Sequence, residues 1–260
     1  MNPLIAAILG LVQGLCEFLP VSSSGHLVLL QNIFGIEEGA LFFDTMLHIG
    51  TLIAVFAVYR KTIWALLKKP FQKLTAMLVI ATLATVAVTL LLGDRLESIF
   101  GGDFLGIGFL LTAVILTVND KMAKGKNSIS AMKPLSALGV GLMQGVAILP
   151  GVSRSGSTIT GARLFGLDKD SAAEFSFLLS IPAILGSLVL QLPDVIREGV
   201  PHMGWGSILI GTVVAAASGY FAIRWMLRLI KEKSLRGFAV YVGILGLLVV
   251  IDQYITHIFF

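Results

Sequence analysis

Two short stretches of this 260-residue chain hold the side chains that could do chemistry. In the first, Gln13-Gly14-Leu15-Cys16-Glu17 runs on to Pro20-Val21-Ser22-Ser23-Ser24-Gly25-His26, setting a carboxylate, three hydroxyls and an imidazole in apolar surroundings. In the second, Gln144 leads to Pro150-Gly151-Val152-Ser153-Arg154-Ser155-Gly156-Ser157-Thr158, which repeats the design and adds an arginine. Gln13 and Glu17 are i and i+4, so on a helix both face one cavity. Ser22 to Gly25 and Ser153 to Gly156 each precede a half-helix, where unpaired backbone N–H groups and the positive dipole end favour an anion. Serines at a helix start are also plain N-caps. Arg154 tips the reading toward a ligand, because a guanidinium in apolar surroundings needs a strong anionic partner and its planar fork suits phosphate oxygens. Ser22, Ser153, Arg154, Ser155 and Thr158 therefore form a candidate phosphate cradle, with His26 available as acid or base. Asp44 and His48, four apart, and Glu174 are supporting polar candidates, while His202 and His257 fall at loop and chain-end positions without a role.

The elements that must position these groups are membrane helices. With 56% hydrophobic residues, 13% charged residues and a mean hydropathy of +0.92, the chain is too apolar for a soluble globule and reads as a polytopic, all-α membrane protein. The net charge of +4 does not signal nucleic acid, because the basic residues cluster in short loops between apolar runs. No removable signal peptide is expected, and the lone Cys16 cannot form an internal disulfide.

Leu4 to Leu19 is too short to span a bilayer and is expected to enter, turn at Pro20 to Gly25 and return through His26 to Phe34 as a re-entrant hairpin. Spans are predicted at Leu41–Tyr59, Leu74–Leu92 and Phe104–Val118. The second half follows the same plan: Leu135–Leu149 into a tip at Pro150, a return arm to Phe165-Gly166, then spans Ala172–Leu192, Trp205–Ile223 and Gly237–Ile251. Sliding the chain by 131 residues aligns Gly10/Gly141, Gln13/Gln144, Gly14/Gly145, Ser22/Ser153, Ser24/Ser155 and Gly25/Gly156, which marks an internal repeat. The whole is one membrane domain, with repeat one at 1–118, a loop at 119–133 and repeat two at 134–260. Lysine and arginine number five in 60–73, four in 119–133 and five in 224–236, against one each in 93–103 and 192–204, so the first three loops are expected to be cytoplasmic. Three crossings per repeat then make the two repeats inverted, with hairpin tips meeting near the midplane.

On the Gln13–Glu17 element, Pro20 to His26 and Pro150 to Thr158, the chain resembles the undecaprenyl-diphosphate phosphatase family, the bacitracin-resistance membrane proteins, over essentially its whole length. The resemblance implies hydrolysis of a C55 polyprenyl diphosphate to the monophosphate carrier of cell-wall synthesis. It also implies a site opening to the outer face of the bacterial cytoplasmic membrane and help from a divalent cation, Mg2+ or Ca2+. The lipid's identity comes from the resemblance alone. Many members carry Glu where this chain has Gln13, which leaves Glu17 as the main candidate metal ligand.

The resulting mechanism takes Ser23 as nucleophile and His26 as its base or the leaving-group acid, with Glu17 either a metal ligand or the partner orienting His26. Arg154 and the cradle supply electrostatic stabilisation. Water activated by Glu17 or His26 is the alternative attacking group. The rival class is a lipid-phosphate transporter or flippase, since inverted repeats with broken helices are transporter architecture. Expected partners are the polyprenyl lipid and membrane lipids, with no nucleic acid, and a homodimer is left open.

Overall fold

A computed structural model describes residues 1–36, 39–100, 104–123, 125–198 and 204–260, with the backbone alone for 92–100, 194, 195 and 198. Among the described residues the chain is helical, and the one trace of β-structure is an isolated bridge between Asn127 and Leu167. Glu38, Gly102 and His202 lie outside the described residues.

The first arm, α1 (Pro3–Phe18), starts on an Asn2 cap whose side chain accepts the Leu4 N–H, with Pro3 at the first helical position, where its missing N–H costs nothing. It stops just before Pro20. The return arm, α2 (Ser23–Phe34), is capped by the Ser22 hydroxyl and ends at Gly35 in the left-handed conformation. Then come α3 (Ala40–Lys68), α4 (Lys73–Phe100) and α5 (Leu105–Lys121). After a 3-10 turn at Ile129–Ala131, the plan repeats as α6 (Pro134–Val146), α7 (Arg154–Leu164), α8 (Lys169–Glu198), α9 (Trp205–Glu232) and α10 (Arg236–Ile251), which closes in a π-helical turn at Asp252–Thr256.

The expected segments are all present, but several helices overrun their apolar stretches: α3 continues to Lys68 and α9 to Glu232. Hydropathy marks what a bilayer requires, whereas the backbone keeps its hydrogen bonds until a breaker or the partner helix ends it. The 1–118 limit for repeat one likewise falls inside α5, which runs on to Lys121. Among the described residues five helices, α3, α4, α8, α9 and α10, are long and apolar enough to cross a membrane. The 17 residues of α5 reach only about 25 Å at roughly 1.5 Å each.

Small residues set the packing. Gly10 and Gly14 put α1 against α9 at backbone contact: a Cβ on Gly10 would meet the Gly211 carbonyl at 2.3 Å, and one on Gly14 the Ser218 hydroxyl at 2.0 Å. Their repeat equivalents Gly141 and Gly145 dock α6 on α4 at Ala81 and Val88. Such small-residue stripes let helices approach where lipid offers no hydrophobic drive between them. In addition α5 packs on α10 and α3 on α8. A buried apolar core including Phe18, Phe109, Phe175 and Phe177 surrounds the two tips.

Candidate functional site

The two hairpin tips touch. The Ser155 hydroxyl donates to the Leu19 carbonyl at 3.1 Å, and a Cβ on Gly25 would lie 3.0 Å from the Gly151 Cα. Each tip needs one residue at positive φ to reverse the chain. The second uses Gly151 (φ 82), whereas the first uses Ser22 (φ 70), a strained conformation for a residue with a Cβ.

Glu17, in the last turn of α1, is the hub. Its Oε2 accepts from Ser23 Oγ at 2.6 Å and from Gln13 Nε2 at 3.0 Å, while its Oε1 pairs with an Arg154 terminal nitrogen at 2.9 Å. Glu17 is 6% exposed and Arg154 16%, so the pair is largely removed from solvent. The Arg154 guanidinium also contacts the backbone carbonyls of Ser176 and Glu17 at 3.5 Å each. His48 Nδ1 lies 2.7 Å from the Asp44 carbonyl, and since a carbonyl only accepts, Nδ1 carries the hydrogen. The other ring nitrogen stands 3.9 Å from Glu17 Oε2. Gln13, Glu17, Ser23, His48 and Arg154 are thus brought together from α1, α2, α3 and α7.

His26 is not part of that contact set. Its Nδ1 donates to the Ser22 carbonyl at 2.7 Å and its Nε2 meets the Tyr241 hydroxyl at 2.8 Å, with the two rings stacked at 5.7 Å and Phe109 edge-on. The expectation that Glu17 orients His26 is therefore corrected: Tyr241 and Ser22 hold the imidazole, and the group in contact with Ser23 Oγ is Glu17. The cradle residues also have protein partners. Ser22 and Ser153 cap α2 and α7 by accepting the Gly25 and Gly156 N–H groups at 3.3 and 3.1 Å, the plain capping role. Thr158 donates to the Arg154 carbonyl at 2.9 Å and lies 2.6 Å from the Ser176 hydroxyl. It buttresses Arg154 rather than facing the cluster. The Asp44 carboxylate accepts from Gln31 at 2.8 Å, away from Glu17. Glu174, half-buried on α8, makes no hydrogen bond or ion pair among the described residues.

Three supports escaped sequence reasoning because each comes from a remote, unremarkable helix: Tyr241, Ser176 and Thr112. Thr112, buried in α5, donates to the Gly151 carbonyl and accepts the Ser153 N–H, both at 2.8 Å, fixing the second tip. The other arginine of α7, Arg163, is tied to the Asn119 carbonyl at 2.6 Å and to the Asn119 side chain, a structural anchor.

For a divalent cation the donor set is small. Among the described residues no group of three His, Cys, Asp or Glu converges. Glu17 offers one carboxylate, and Gln13 Oε1, on the amide that contacts Glu17, is buried without a hydrogen-bond partner among the described residues. One carboxylate and one amide oxygen suit a cation such as Mg2+ that keeps most of its coordination for water and substrate phosphates.

The family model described as bacitracin resistance protein BacA matches residues 6–248. Among curated proteins, the chain is 45% identical to an undecaprenyl-diphosphatase 4 of Bacillus thuringiensis (strain Al Hakam), with all of both chains covered. It is 44% identical to an undecaprenyl-diphosphatase of Carboxydothermus hydrogenoformans over 97% of this chain and 98% of the relative. A Methanobrevibacter smithii undecaprenyl-diphosphatase is 40% identical, again with complete coverage.

Proposed function

The chain belongs to the bacitracin resistance protein BacA family, and from that premise we propose that it is an undecaprenyl-diphosphatase, hydrolysing undecaprenyl diphosphate to undecaprenyl phosphate and inorganic phosphate. The observation that carries the chemistry is the shared carboxylate: Glu17 takes the Ser23 hydrogen at 2.6 Å with one oxygen and pairs with Arg154 at 2.9 Å with the other. A serine with its proton already directed at a base, beside a cation matched to phosphate, is an activated nucleophile at a phosphoryl site.

The steps follow from the exchange of partners at Glu17. The diphosphate, seated at the start of α2 and α7, draws the Arg154 fork onto its oxygens. Glu17 then has lost its counter-ion, and a buried uncompensated charge is costly. Taking the Ser23 proton relieves it. Ser23 Oγ attacks the terminal phosphorus, the bond from that phosphorus to the bridging oxygen breaks, and the lipid monophosphate leaves. The proton that Glu17 took leaves on the departing lipid monophosphate; water next attacks the phosphoserine, and its proton passes through Glu17 to Ser23 Oγ as that oxygen departs, releasing inorganic phosphate and restoring the carboxylate. Arg154 and the first-turn N–H groups of α2 and α7 stabilise the charge spread over the transferring oxygens. His26, one turn along α2 from Ser23 and held by Ser22 and Tyr241, is assigned proton movement on the leaving side. A divalent cation, which the family resemblance supports, would be held by Gln13 Oε1 and the diphosphate oxygens and would neutralise diphosphate charge, leaving Glu17 free as the base.

We place the site toward the outer face of the cytoplasmic membrane, because 14 of the 19 lysines and arginines fall in the three loops assigned inward. The inverted-repeat arrangement draws support from the packing: exchanging the repeats turns the α1–α9 contact into α6–α4 and leaves α5–α10 and α3–α8 unchanged. The transporter reading has no comparable support, since the relatives are named as phosphatases and transport needs no serine aimed at a base.

Release of inorganic phosphate from undecaprenyl diphosphate by the purified protein in detergent tests the reading. Turnover there, with no second compartment, is expected; saturable binding without phosphate release would leave the transporter class instead.

A further inference from the structure

Away from the hairpin tips, an open groove of about 500 Å³ lies between α3 and α9, with four exposed basic side chains along it. Arg60 contributes from α3; Arg224, Arg228 and Lys231 contribute from α9, over a floor that includes Leu227. Lys231 has a counter-charge, Asp170 at 3.2 Å. Among the described residues the three arginines do not. Arg60 reaches only the Ala57 carbonyl, at 3.5 Å, and Arg228 makes no hydrogen bond or ion pair among the described residues. Arg224 is held in place by Tyr220, whose hydroxyl accepts its N–H at 3.1 Å and whose ring lies 5.5 Å beneath the guanidinium. Like charges sharing a concavity repel unless an anion sits between them.

A topological bias toward basic loops explains how many cations stand at these helix ends. It does not explain why two helices distant in sequence converge theirs on one hollow with an apolar floor. Nor does the repeat impose it, because the 131-residue equivalents of Arg60, Arg224 and Arg228 are Gln191, Gly93 and Glu97.

We propose that this hollow is a second anion site, binding a phosphate group in the fork of Arg60, Arg224 and Arg228, with the apolar floor accepting the first carbons of a lipid that bears it. Basic pockets between membrane helices recognise anionic headgroups through this combination. The same fork would also accept free phosphate.

The experiment uses delipidated full-length protein in neutral detergent, read by native mass spectrometry of bound adducts. Phosphatidylglycerol, phosphatidylcholine and inorganic phosphate are titrated against wild type and the triple variant Arg60→Gln/Arg224→Gln/Arg228→Gln. Phosphatidylglycerol should bind wild type about a hundredfold more tightly than the triple variant, with phosphatidylcholine weak on both. Diphosphatase turnover of the triple variant should match wild type. Should the triple variant fail to fold, Arg228→Gln alone, which removes no hydrogen bond or ion pair among the described residues, is expected to weaken phosphatidylglycerol binding about fivefold. Inorganic phosphate binding that needs the same arginines and displaces the lipid supports the site and assigns it to free phosphate as well. Phosphatidylglycerol binding unchanged by either variant, or no stronger than phosphatidylcholine binding, overturns the proposal.

Discussion

Replacing Glu17 by Gln keeps the shape of the hub and removes its charge, so it separates the ion pair from the packing. In the variant Arg154 keeps its two 3.5 Å contacts to the carbonyls of Ser176 and residue 17 and can donate at most to a neutral amide oxygen, so the guanidinium has no counter-charge. Breaking a buried ion pair from one side costs about 3–5 kcal/mol; since Arg154 is 16% exposed and keeps those contacts, about 3 kcal/mol is expected. Turnover should fall further than stability implies, because an amide cannot take the Ser23 proton, and loss of a general base costs about 10²- to 10⁴-fold. The double variant Glu17→Gln/Arg154→Met removes both charges and should recover most of the stability while staying inactive. Unfolding midpoints in detergent and phosphate release, measured on the same preparations, check both halves. A Glu17→Gln protein with near wild-type turnover would refute the base assignment. A double variant no more stable than the single would show that the destabilisation does not come from a stranded arginine.

Arg154→Lys should lose nearly as much turnover as Arg154→Ala, because a point charge cannot span two phosphate oxygens as the fork does; initial rates at saturating lipid compare them. Ser23→Ala is expected to abolish turnover, whereas activity that survives it and is lost in His26→Ala would point to directly activated water. Gln13→Glu sets a second carboxylate where an amide now donates to Glu17 at 3.0 Å, so its turnover should hold only at saturating divalent cation, seen as a steeper metal titration than wild type. In a Cys16→Ala background, an impermeant thiol reagent applied to intact cells should label cysteines at Glu38, Gly102 and His202 and spare those at Lys69, Lys126 and Lys231. Labelling at both Gly102 and Lys126 would end the inverted arrangement.

Much of this architecture was legible because lipid punishes ambiguity. An arm of 16 residues that ends before a proline cannot cross, and a carboxylate at its end must find a partner. The 131-residue repeat identities also acquire meanings. Gly10, Gly14 and Gly141 are backbone contacts with α9 and α4, Gly145 makes room for the Val88 side chain of α4, and Ser22 and Ser153 are caps. What stayed hidden was the pairing among polar groups already singled out. His26 and Ser23 are three apart, and spacing alone made them partners; the fold turns His26 toward Tyr241, 215 residues away, and leaves Ser23 to Glu17. No local pattern reports such a choice. Thr112 was silent for a similar reason, as one threonine in an apolar helix whose value lies in the backbone of a distant tip.

The glycine stripes have a consequence for motion. Where α1 meets α9 and α6 meets α4 at backbone contact, neither pair has room to slide, so each moves as a stiff block. The Glu17–Arg154 pair lies across the seam between the two hairpins, one partner on α1 and the other on α7. On the proposed mechanism the pair is a latch whose key is phosphate: a ligand that claims Arg154 would unfasten the seam at the moment the nucleophile is released, and departure of the product would fasten it again.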